Sequence, residues 1–60
     1  MKMSEKVAKA AAIAVRLHKE EGYSMGDAIY RAVRRFWVGR QIKEGMSLVG
    51  KELRSTPVKS

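Results

Sequence analysis

The sequence predicts an all-α fold, a small three-helix domain made of a helical hairpin and a shorter, glycine-interrupted third helix. Three observations carry that reading. Apolar residues recur three and four apart in three successive segments, a serine with an acid in the following turn opens each of the first two, and Gly22 and Gly39 stand where the repeat breaks. Sixty residues make one domain, taken as residues 1–54, followed by a tail at 55–60 that contains Pro57 and is expected to be disordered.

The first helix is expected to start with Ser4 as its N-cap and Glu5 in its first turn, and to run to about Glu21. Gly22 then supplies the left-handed residue that closes many helices. Met3, Val7, Ala10, Ala11, Ala14, Leu17 and His18 share one face, with Glu5, Lys9, Arg16, Lys19 and Glu20 on the other. The alanines favour the helix and let a neighbour approach closely.

Ser24 caps a second helix, with Asp27 three residues on, in the looser form of the capping box. Its apolar stripe is Met25, Ala28, Ile29, Ala32, Val33 and Phe36, and the helix is expected to reach about Trp37. So short a connection makes the first two helices spatial neighbours.

Past Trp37 the phase changes, because continuing the same helix would bring Arg40 and Lys43 onto the apolar stripe. A kink or helix end is expected near Gly39, and then a third element in which Val38, Ile42, Met46, Val49 and Leu53 recur at helical spacing. Two forms stay open: one bent helix over 40–54, or a stop at Gly45 and a new start capped by Ser47. The second fits slightly better, since Gly45 and Gly50 each weaken a helix by about 1 kcal/mol relative to alanine. A strand at 36–41 would have no partner within the chain.

Composition removes several functions. With no cysteine and one histidine there is neither a disulfide framework nor a protein-only zinc cage, and no cofactor or metal is expected. A chain this size buries only about 60% of its unfolded surface, so helix packing or self-association as a homodimer must hold it together. No apolar stretch is long enough for a leader or a membrane span, which points to a cytoplasmic protein with no membrane partner. Catalysis is not expected either. Glu20 and Glu21 stand at a solvated helix end, His18 reads as a boundary residue, and Gly50-Lys51 lacks the rest of a phosphate loop.

Thirteen Lys and Arg against six Asp and Glu give a formal charge of +7, which favours polyanionic partners. On the second helix Arg31, Arg34 and Arg35 lie opposite the apolar stripe; Arg40 and Lys43 follow the break, and Lys51 and Arg54 extend the patch if the third element folds back beside that helix. Phe36 and Trp37, between Arg35 and Arg40, offer stacking surfaces amid cations. The expected function is nucleic-acid binding, DNA more than RNA, through Arg31, Arg34, Arg35, Arg40 and Lys43. The alternative is an interaction protein that holds a larger protein through Phe36, Trp37, Val38 and Met46. Against both stands the plain possibility that the arginines are only the wet side of an amphipathic helix.

Residues 17–25, Leu17-His18-Lys19-Glu20-Glu21-Gly22-Tyr23-Ser24-Met25, resemble the helix, glycine-containing turn and capped second helix of helix-turn-helix proteins. The resemblance implies that the second helix enters the major groove and that its outer face is free of the third. His18 stands where that motif usually has a small residue, and Glu21 where an apolar one is expected.

Overall fold

The computed structural model describes residues 3–55, with side chains from residue 5 onward. Three helices follow one another, α1 Met3–Glu20, α2 Met25–Val33 and α3 Gln41–Ser55, each packed against the other two, and no strand occurs among the described residues. The expected all-α, three-helix architecture is the one observed. α1 begins at Met3, two residues before the Glu5 that a Ser4 cap would make its first, so Ser4 lies inside the helix; a shift of this size at a helix end costs little. The tail expected to be disordered falls outside the described residues, except for Ser55, which ends α3 with its hydroxyl donating to the Lys51 carbonyl at 2.8 Å.

α1 closes as Glu21 N–H donates to the Leu17 carbonyl at 3.0 Å, and Gly22 takes a φ of 78°. A residue with a Cβ would be strained there by roughly 1–2 kcal/mol. His18 is exposed, not part of the apolar face to which its spacing assigned it. Its Nδ1 lies 2.7 Å from the Tyr23 carbonyl, which can only accept, so Nδ1 carries the proton and pins the turn. Ser24 then caps α2 as expected, its hydroxyl accepting the Asp27 N–H at 3.2 Å.

The core joins Val7, Ala10, Ala11 and Ala14 of α1 with Ala28, Ala32 and Val33 of α2, then Trp37 and, from α3, Val49. Ala10, Ala14, Ala28 and Ala32 are wholly buried, and such small side chains permit a short distance between helix axes.

α2 ends at Val33, short of the expected Trp37. The chain tightens as the N–H groups of Arg35 and Phe36 donate to carbonyls three residues back, and Trp37 N–H then returns to the Val33 carbonyl at 2.9 Å. That bond leaves Trp37 one turn beyond Val33, on the same inward side, with only 3% of its surface exposed. Opposite it is Gly45. A Cβ there would stand 2.5 Å from Trp37 Cδ2 and 2.7 Å from Val33 Cγ1.

Gly45 is therefore a packing contact, and α3 runs through it unbroken, which corrects the expected stop at Gly45 and restart at Ser47. Burying an indole of about 150–250 Å² outweighs the about 1 kcal/mol by which glycine weakens a helix. The break near Gly39 is present, with φ at 58°. Val38 does not join the α3 stripe and is 74% exposed, because the left-handed Gly39 ends the helical phase that would have related it to Ile42. Val49 is buried, and Ile42, Met46 and Leu53 are half-buried against the core.

Candidate nucleic-acid interface

The fold exposes all five expected basic residues, Arg31, Arg34, Arg35, Arg40 and Lys43, but divides them among three places. Arg31 and Arg34 belong together on the outer side of α2. The Arg31 guanidinium lies over the Tyr23 ring, Cζ 4.2 Å from its centre, and its Nε is 3.9 Å from Asp27 Oδ1. Arg34 lies over Tyr30, one turn earlier, at 5.6 Å. A ring beneath each guanidinium restricts its stem while leaving the N–H fork open to solvent. The Arg31–Asp27 pair is long, with both side chains about half exposed, so it contributes a few tenths of a kcal/mol and orients Arg31 more than it neutralises it.

Arg35 turns toward α1. It lines a shallow groove of about 280 Å³ with Ile13, Arg16, Leu17, Glu20 and Glu21, where Arg16 Nε pairs with Glu20 Oε1 at 3.6 Å. Two carboxylates in that groove oppose an anion.

Arg40 precedes α3, and Lys43 lies in its first turn, about 160° around the helix from Gly45. On α2, Arg31 lies about 160° around from Val33. Val33 and Gly45 meet, so each helix carries these cations on the side facing away from the other. Arg54 lies about 20° and Lys51 about 80° around α3 from Lys43, so neither extends the Arg31 surface.

Among the apolar candidates, Trp37 is core. Phe36 meets it edge-on at 6.2 Å, Lys6 Nζ lies 5.0 Å over its ring, and Gly45 seats its other contact. Phe36 and Met46 are half-buried, leaving Val38 as the open one. The aromatic surfaces that do accompany exposed arginines are Tyr23 and Tyr30, which the sequence reading passed over. Tyr30 was legible as the residue four before Arg34. Tyr23 was not, because it lies in a turn, eight residues from its partner and outside any helical repeat.

Among the described residues, no helix is long and apolar enough to cross a membrane, and no three His, Cys, Asp or Glu side chains converge as metal ligands. Comparison with protein-family models, with curated proteins and with solved structures found no match for this chain.

Proposed function

We propose that the chain binds nucleic acid, DNA in preference to RNA, with the outer side of α2 as the principal contact. The observation that carries the reading is the pair of exposed arginines, Arg31 and Arg34, each laid on a tyrosine ring on a helix face that α3 leaves open. Forks held this way are suited to bidentate contacts with phosphate oxygens or a guanine edge. A single helix fits the major groove of B-form DNA, whereas the deep, narrow major groove of A-form RNA excludes it. The short capped turn before α2 agrees with the helix-turn-helix resemblance, and the charge of +7 supplies long-range attraction. A cytoplasmic, non-catalytic role belongs to the same reading.

A protein partner gripped by Phe36, Trp37, Val38 and Met46 is less well supported, because Trp37 is closed inside the core. Electrophoretic mobility shift over a salt series tests the proposal. A labelled duplex should be retarded at low salt, with log K falling linearly as log salt rises. If neither a duplex nor a single strand binds at low salt, the proposal fails.

A further inference from the structure

The α2 surface leaves a second set of cations unused. Lys43, Lys51 and Arg54 follow one another along α3 over about 16 Å, all exposed, with Ser47 between them and Arg40 exposed just before the helix. One acid borders that line: Glu44 lies about 100° around from Lys43 and within about 20° of the Lys51 direction, two turns before it, whereas Glu52 falls about 20° from Gly45. A cationic line of this length complements a run of backbone phosphates, and lysine stems suit such contacts because they act as point charges that need no fixed geometry.

Building on the nucleic-acid reading, we propose that the outer face of α3 is a second phosphate-binding surface, so that one chain holds two segments of duplex at once. The Val33–Gly45 contact fixes the geometry, since Arg31 and Arg34 lie about 160° and 100° from Val33 on α2, and Lys43, Lys51 and Arg54 lie about 160°, 120° and 180° from Gly45 on α3. The two faces look away from each other. The molecule measures 33 × 21 × 16 Å, so duplexes seated on opposed faces are separated by more than the Debye length of about 8 Å at physiological salt. Their mutual repulsion is then largely screened.

Capture of a second duplex tests this. Protein is bound to an immobilised duplex, washed, and offered a labelled duplex in solution. The native chain should retain the label. The K43Q/K51Q/R54Q variant, altered only at exposed positions and checked for helicity by circular dichroism, should still retard a single duplex while capture falls by about tenfold or more. Two results overturn the two-surface inference and leave the α2 reading standing: the native chain retards a duplex but captures none, or the variant captures as well as the native chain. Loss of single-duplex binding in the variant would show one continuous site and also overturn it. Failure of the native chain to bind any duplex removes the underlying reading, and this inference with it.

Discussion

On α2, Arg31 and Arg34 each rest on a tyrosine ring, and Arg31 is also steered by Asp27; on α3, Lys43, Lys51 and Arg54 stand exposed, and among the described residues no aromatic ring meets them. The α3 face carries the greater charge, three cations against two arginines and Asp27, but the α2 face is the more ordered. A guanidinium restrained before contact loses less conformational freedom on binding and presents its fork in a defined direction, whereas a lysine stem loses up to about 2 kcal/mol of rotamer entropy when fixed. Direction belongs to α2 and reach to α3. What holds the two faces apart is the joint at Trp37, so the comparison can be broken there or sharpened at the faces themselves.

The largest effect is expected from Trp37→Ala. Truncating a buried tryptophan costs about 3–5 kcal/mol, against a total of roughly 3–9 kcal/mol for a chain of this length. Thermal melting followed by circular dichroism should show a chain that is largely unfolded or melts far earlier; an unchanged midpoint would contradict the core role of the indole.

Gly45→Ala comes next. Its methyl would press on Trp37 and Val33, and urea titration should show a loss of about 1–3 kcal/mol despite alanine's better helix propensity. A more stable variant would mean that the α2–α3 joint is loose. Ser24→Ala should cost about 1 kcal/mol through loss of the cap, whereas Ser47→Ala should stay within about 0.5 kcal/mol, because α3 passes through Ser47 without a new start. Equal losses at the two serines would argue against the continuous α3.

The smallest effect sharpens the faces. Tyr30→Leu keeps the charge and removes the ring beneath Arg34, so duplex affinity should fall about two- to fivefold with the salt slope unchanged. A change in slope would mean that Tyr30 alters the number of phosphate contacts rather than their orientation.

Much of the architecture was legible in the residues because it depends on local rules. The alanine face of α1, the Ser24 cap and the left-handed glycines at 22 and 39 each follow from spacing or backbone chemistry within a few positions. The state of Gly45 does not. Whether a glycine inside a helix marks a break or a close approach depends on the residue opposite, and that residue, Trp37, lies eight positions away across a turn. The division of the cations has the same origin. Arg31 and Arg34 could be grouped by helical period, but the direction in which Arg40 and Lys43 face is set by where Val33 meets Gly45, a tertiary contact with no periodic signature.

The most direct test of the α2 surface compares salt slopes of duplex binding for R31Q/R34Q and for K9Q/K19Q, a variant with the same loss of charge at exposed positions on the outer face of α1. The arginine variant is expected to lower the slope by about two while the α1 variant leaves it near the native value. Equal reductions in both, or none in either, would contradict a defined nucleic-acid surface on α2 and leave the arginines as ordinary solvated charge.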